Sequence, residues 1–203
     1  MTPGPAWVQP VTLMGTAVRL EPLGLQHADD LFAAAQDPDI WRYLPVDPSA
    51  APAALRAWIT AALDAQTAGG ELPFAIRDRA TGRALGSTRY LNISARDRGL
   101  EIGWTWLARP ARRTTVNTEC KYLLLRHAFE TLRAVRVQLK TDRRNTVSQA
   151  AIERLGAVRE GILRKHMLVA NGYIRDTVMY SVTDDEWPGV KVRLQRMLVA
   201  LPS

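Results

Sequence analysis

The chain switches between a two-residue and a 3.6-residue apolar period, and the switches mark its elements. Ala17, Val18 and Leu20, ahead of Pro22 in TAVRLEPL, predict a first strand. LQHADDLFAAAQD follows with Ala28, Leu31, Phe32 and Ala35 on one helical face. DPDIWRYLPVDP is a loop punctuated by proline, and residues 49–70 read as a second helix stopped by Gly69-Gly70. Pro73–Arg77 and Ala84–Ile93 read as strands joined by the turn DRATGR, and Leu100–Leu107 as another. A helix is expected from about Thr115, with Val116, Cys120, Leu123, Leu124, His127 and Ala128 on its buried face. Ala134–Lys140 alternates as a strand. Asn145 is a good N-cap for TVSQAAIERL, and Gly156 its natural stop. Ile162–Val169 and Tyr173–Val182 flank Asn171-Gly172, a strong two-residue hairpin signal, and a short helix follows Asp184-Asp185-Glu186. The order β-α-α-β-β-β-α-β-α-β-β-α implies an α/β (α+β) fold: one mixed, mostly antiparallel sheet flanked by helices.

Composition narrows this picture. A length of 203 residues suits a single domain, residues 1–203, with a core over about 16–188. No apolar run is long enough to span a bilayer, and MTPGPAWVQP has neither the charged nor the apolar region of a signal peptide. A cytoplasmic protein without a membrane partner is expected. The single cysteine, Cys120, excludes an intrachain disulfide and a cysteine-rich metal site, and it lies on a predicted buried face. The net charge of +7 is uneven: residues 1–100 carry −1 and residues 101–203 carry +8. That bias favours an anionic ligand. Nucleic acid is not expected, since zinc-finger spacing, a basic heptad helix and aromatic RNA-binding signatures are all lacking.

The basic excess begins at ARPARRTTVNTECKYLLLRHAF, residues 108–129. A strand running into a helix start makes an anion site, because the first turn presents unpaired N–H groups and the positive end of the dipole. Glycine usually lets the phosphate approach, and here Arg112, Arg113, Thr114 and Thr115 stand in that place. Arginine adds charge-assisted bonds. A solvated loop capping a core helix is the open alternative.

Two stretches carry a wider resemblance: LEIGWTWLARPARRTTVNTECKYLLLRHAFETL, and VRVQLKTDRRNTVSQAAIERLGAVREGILRKH with its N-x-x-S followed by RLGAVREG. From about Val18 to Trp187 the chain resembles the GNAT superfamily of acyl-CoA N-acyltransferases, particularly its Rim-type branch, which acetylates protein N-termini and diverse amines. The resemblance implies acetyl-CoA as co-substrate, an amine acceptor and no metal. It implies that backbone groups of Thr105 and Leu107 hold the pantetheine arm. The family's loop pattern is Gln or Arg, two residues, Gly, one residue, then Gly or Ala. Arg112 matches its first position, whereas Thr115 and Asn117 replace the small residues. Arg113, Thr114, Val116 and Thr118 complete the implied phosphate turn. Asn145 matches the asparagine near the pantetheine. The tyrosine that protonates the leaving thiolate in many relatives is replaced by Ile152. Ser148 is then the candidate donor, against the reading of an ordinary serine in a first helical turn.

Direct transfer to an amine needs a proton acceptor, a stabilised carbonyl oxygen and a protonated leaving thiolate. Glu101 is the base candidate, against a salt bridge at a strand edge. His27 stands at a helix start and is expected to be exposed; His127 is expected in the core. A two-residue turn would set His166 opposite Thr177. His166, Tyr173, Arg175 and Asp176 could then line an acceptor pocket, together with Trp41 and Tyr43, for which packing is the alternative. A weakly active acyl-CoA-binding module is the alternative function. Sheet edges and the last hairpin leave homodimerisation open.

Overall fold

The computed structural model describes residues 6–169 and 172–200. Eight strands form one sheet in the order β1-β2-β3-β4-β5-β6-β8-β7. They are β1 (Leu13–Met14), β2 (Val18–Pro22), β3 (Glu71–Asp78), β4 (Ala84–Ser94), β5 (Gly99–Leu107), β6 (Arg136–Asp142), β7 (Val158–Leu168) and β8 (Ile174–Thr183). Every neighbouring pair is antiparallel except β5 and β6. The helices are α1 (Ala28–Ala34), α2 (Pro52–Thr67), α3 (Val116–Arg126), α4 (Thr146–Leu155) and α5 (Trp187–Ala200).

The apolar stripes sort the helices onto two sides. Cys120, Leu123 and Leu124 of α3, Ile152 and Leu155 of α4 and Leu194 of α5 pack with Phe74, Tyr90, Val137, Leu139 and Tyr180. On the other side Leu31 of α1 and Leu55, Trp58 and Ile59 of α2 pack with Ala75 and Trp106. Pro52 at the first turn of α2 costs that helix no hydrogen bond. Asn145 caps α4, its side chain accepting from the Ser148 N–H at 3.0 Å, and Gly156 ends α4 at φ +103°.

Four expectations need correction. The two-residue strand β1, too short for any periodicity, pairs with β2. The strand expected from Ile162 starts at Val158, because Val158 already pairs with Ser181. His27 is buried, not exposed: its Nε2 lies 2.7 Å from Glu21 Oε1 and its Nδ1 3.0 Å from the Gly24 N–H. In the last hairpin, Asn171 lies outside the described residues. The Val169 N–H donates to Tyr173 O and Leu168 pairs with Ile174, one residue away from the register of a two-residue turn. A bulge between Leu163 and Met167 then makes Leu163, not His166, the backbone partner of Thr177.

Candidate active site

Strands β5 and β6 run together only over Gly99–Glu101 and Arg136–Gln138. Beyond that, β5 stays with β4 and β6 stays with β8, so their facing edges part. A bulge drives the separation. Arg89 pairs with Gly103 and Ser87 with Trp106, so Trp104 and Thr105 both face Thr88. Trp104 takes φ +51°, a left-handed backbone that bends the strand. The parted edges leave backbone donors and acceptors without ladder partners, a slot for an extended polar ligand. Thr105 and Leu107 lie on its β5 wall.

At the open mouth of the slot, the β5 wall runs into the arginine turn. A 3-10 turn over Arg109–Ala111 runs into α3. The residue in left-handed conformation is Arg113, at φ +61°, whereas Thr115 has an ordinary helical φ of −67°. The missing glycine at Thr115 is therefore no obstacle to this backbone. Arg112 is a clasp: its Nε donates to Leu107 O at 3.0 Å and its Nη1 pairs with Asp37 at 3.2 Å. Thr114 Oγ1 donates to Ala111 O at 2.8 Å and accepts from the Val116 N–H at 3.2 Å. Among the described residues nothing accepts from the N–H groups of Asn117 and Thr118. Arg113 is exposed beside them. These two N–H groups and the Arg113 guanidinium are thus the positive groups of the turn without partners among the described residues.

Further along α3, Glu119 and Lys121 are buried and play parts that residue type alone did not reveal. Glu119 accepts from the N–H groups of Thr16, Ala17 and Val18, tying the β1–β2 turn to the helix. A Cβ on Gly15 would meet that carboxylate at 2.6 Å, so the turn needs glycine. Lys121 Nζ donates to Thr105 Oγ1 at 2.6 Å, and that hydroxyl lies 2.8 Å from Thr88 Oγ1. Burial lowers the Lys121 ammonium to about 8 and raises the Cys120 thiol to about 12. Thr118 is fully buried and its hydroxyl has no partner among the described residues.

Because β5 and β6 are parallel, the β6 wall ends at the same mouth, in the start of α4. Asn145 commits its side-chain oxygen to the cap, while Ser148 is half-buried and its hydroxyl has no bond to the described residues. Ile152 is core.

At the closed end of the slot, where Glu101 is paired with Gln138, the sheet carries a polar face. Glu101 is 1% exposed, and its Oε2 is held by Asn92 at 2.8 Å, Gln138 at 2.8 Å and Lys140 at 3.1 Å. Its ion pair is thus with a lysine of β6, not an arginine. Asp142 holds Arg144, whose guanidinium lies 3.4 Å from the Tyr173 ring centre and 5.7 Å from that of Tyr43. Arg144 so bridges the hairpin to the loop after α1. His166 is exposed, yet its Nδ1 reaches Thr177 Oγ1 at 3.1 Å despite the shifted register. Desolvation, then the charges of Lys140 and Arg175, lower its pKa below the ordinary histidine value. Arg175 is buried on β8. Trp41, in contrast, packs inward: it is buried, bonded to Ala35 O at 2.9 Å, and 5.2 Å from Trp106. Glu101, His166 and Arg175 thus lie within electrostatic reach of one another, Tyr43 adjoins Arg144, and Trp41 belongs to the core. Missed from the sequence were Gln138, Lys140, Asp142 and Arg144. The alternation in RVQLKTD carried that signal, since it sets Gln138, Lys140 and Asp142 opposite Val137 and Leu139.

Two cavities lie outside the slot. One of about 220 Å³ separates Trp41, Leu44 and Val46 from Val169; one of about 410 Å³ lies between Phe129, Trp187 and Lys191, beside the far end of β6. Among the described residues no group of three acidic, histidine or cysteine side chains is placed to hold a metal ion, and no helix is long and apolar enough to cross a membrane.

Known proteins share this architecture. A solved acetyltransferase structure from T. thermophilus is 44% identical, covering 95% of this chain and 99% of that one, with a TM-score of 0.86. A Bacillus subtilis (strain 168) protein assigned as a ribosomal N-acetyltransferase, YdaF, is 34% identical over 54% of this chain; the match spans only 59% of that protein's length. The Mycobacterium smegmatis RimJ structure in complex with CoA-disulfide shares the fold at 22% identity, with a TM-score of 0.81 over 93% of this chain and 95% of that one. Residues 17–158 match the family model described as the acetyltransferase (GNAT) domain, and with that match over most of its sheet and its slot, this chain belongs to the GNAT acetyltransferase family.

Proposed function

We propose that this protein transfers an acetyl group from acetyl-CoA to a primary amine, of a protein N-terminus or a small molecule, by direct attack. The observation that carries the reading is the slot between the parallel strands β5 and β6, whose mouth has free N–H groups and Arg113 on the β5 side and Ser148 on the β6 side. The residues present fit the co-substrate. Unpaired backbone along Thr105–Leu107 suits the amide-bearing pantetheine, and the first turn of α3 suits the pyrophosphate. Arg112 holds the turn closed through Nε and Nη1, and its Nη2, without a partner among the described residues, is left for the phosphate.

The amine nitrogen attacks the thioester carbonyl carbon; the C–N bond forms, the C–S bond breaks, and one proton must leave nitrogen while sulfur gains one. His166 is the proton acceptor: it is exposed, and its lowered pKa keeps the imidazole neutral at pH 7. Glu101 Oε2 takes three donors and so positions Lys140 and Gln138, while its Oε1 has no partner among the described residues and makes Glu101 the second candidate proton acceptor. The Ser148 hydroxyl gives its proton to the departing thiolate and recovers one from water. A weakly active binding module keeps the slot but not this proton path.

The first test is calorimetric titration with acetyl-CoA beside its dephospho analogue. Micromolar binding of acetyl-CoA supports the reading, and absence of binding removes it. His166→Gln should then lower kcat about 10²–10⁴-fold with nearly unchanged acetyl-CoA affinity. It should also abolish the acid limb of the pH–rate profile, which in the native enzyme falls as the imidazole gains its proton below pH 6.5. An unaltered profile would take His166 out of the proton path.

A further inference from the structure

Two arginines in this sheet are equally buried and differently served. Arg89 and Arg175 are each 5% exposed, and the Nε of each has no partner among the described residues. Arg89 is nonetheless paired: its Nη1 lies 2.7 Å from Glu71, and its guanidinium stacks 4.6 Å and 4.8 Å from the rings of Trp58 and Trp104. Arg175 has no ion pair within 4 Å and no hydrogen bond to the described residues. Burying a guanidinium to this degree without a bonded counter-ion is costly, and its terminal nitrogens, bonded to nothing among the described residues, are where an anion would offset that cost.

The acids that face it are already committed. Asp142 is held by Arg144, and Glu101 by Asn92, Gln138 and Lys140. Asp176, next along β8, pairs with Arg143 at 3.6 Å. Arg175, Lys140 and Arg144 thus meet Glu101 and Asp142 one negative charge short. Arg175 and His166 lie within electrostatic reach of each other and of Glu101, so the unmet charge belongs to the same polar face as Glu101, beside the slot.

We infer that Arg175 is a carboxylate-recognising residue of the substrate site: the preferred substrate carries an anionic carboxylate, on the amine acceptor or at the far end of the acyl chain. The inference rests on the acyltransferase reading and narrows it. Arginine suits the task, because its planar fork meets a carboxylate with two parallel bonds.

The test is calorimetry on the full chain with matched probes. For the acyl arm, succinyl-CoA is compared with acetyl-CoA. For the acceptor arm, free amino acids are compared with their amides in the presence of desulfo-CoA. In at least one arm the carboxylate form should bind about ten- to a hundred-fold tighter, the worth of a charge-assisted pair. The arm that discriminates names the source of the carboxylate. Arg175→Gln should erase the preference and Arg175→Lys should keep part of it, with thermal melts checking that both variants fold. Equal binding of charged and neutral probes by the native protein overturns the inference without any variant. So does a preference that survives Arg175→Gln. Failure of acetyl-CoA to bind overturns the acyltransferase reading instead, and it is read in the same titrations.

Discussion

The two halves of the sheet differ on the side that carries α1 and α2. Over β3–β5 that face is closed by apolar packing: Trp41, Trp58 and Trp106 lie ring against ring at 5.2–6.3 Å, beneath Leu31, Leu55 and Ile59. Over β6 and β8 the same face is polar and holds Gln138, Lys140, Thr177 and Arg175, with Glu101 joining them from the paired end of β5. Much of it is buried too, but by mutual hydrogen bonding. One half is a scaffold of packed rings and aliphatic side chains whose buried Arg89 is already paired with Glu71 and stacked on Trp58 and Trp104. The other gives up stability to polar groups that must be satisfied, and it leaves Arg175 to be satisfied from outside. The slot opens between the two.

This contrast can be broken at either side. The largest effect is expected in the closed half: Trp106→Ala removes the ring on which Trp41 and Trp58 pack and should cost about 3–5 kcal/mol of stability, read by urea unfolding. A loss below about 1 kcal/mol would mean that the tryptophan cluster is not the keystone of that half. In the polar half, Glu101→Gln should cost about 1–3 kcal/mol, because Lys140 loses its buried counter-charge while the hydrogen bonds partly survive. Glu101→Gln should lower turnover less than His166→Gln does; the reverse order would restore Glu101 as the proton acceptor.

Smaller effects sharpen the picture under α3. The Lys121 ammonium is lowered from 10.5 to about 8, chiefly by burial. Between those values the unfolded chain holds a proton that the folded chain lacks, so this group makes stability rise with pH from about 8 to 10.5. Lys121→Met should flatten that slope in a series of thermal melts, and an unaltered slope would place its origin elsewhere. The smallest effect concerns Cys120, whose thiol is buried and raised to about 12. At about pH 8 it should resist alkylation in the folded protein and react only on unfolding. Rapid modification would show that α3 opens readily from the sheet.

Much of the fold was legible because burial on one face imposes a period. The α3 stripe through Cys120, Leu123 and Leu124, the cap at Asn145 and the stop at Gly156 all appear where the pattern puts them. Positions set by non-local partners were not legible. His27 resembles an exposed residue at a helix start until Glu21, on a strand, comes within 2.7 Å. Glu119 and Lys121 resemble solvated helix positions until three backbone N–H groups and Thr105 take them in. Trp41 looks as fit for a ligand as Tyr43, and only the approach of Trp106 separates them.

By itself, the sequence determined the order of helices and strands, the mixed sheet, the family pattern and the basic loop ahead of α3. These follow from local periodicity, capping and residue type, which each segment carries alone. The tertiary structure decided that β5 and β6 part after three paired residues, that Arg113 rather than a glycine takes the left-handed position, and that Arg112 closes the loop. It also decided that Arg175 is buried beside acids already bound to other cations. Each of these depends on which distant groups share a small volume, because hydrogen bonds and charges are satisfied in space and not along the chain.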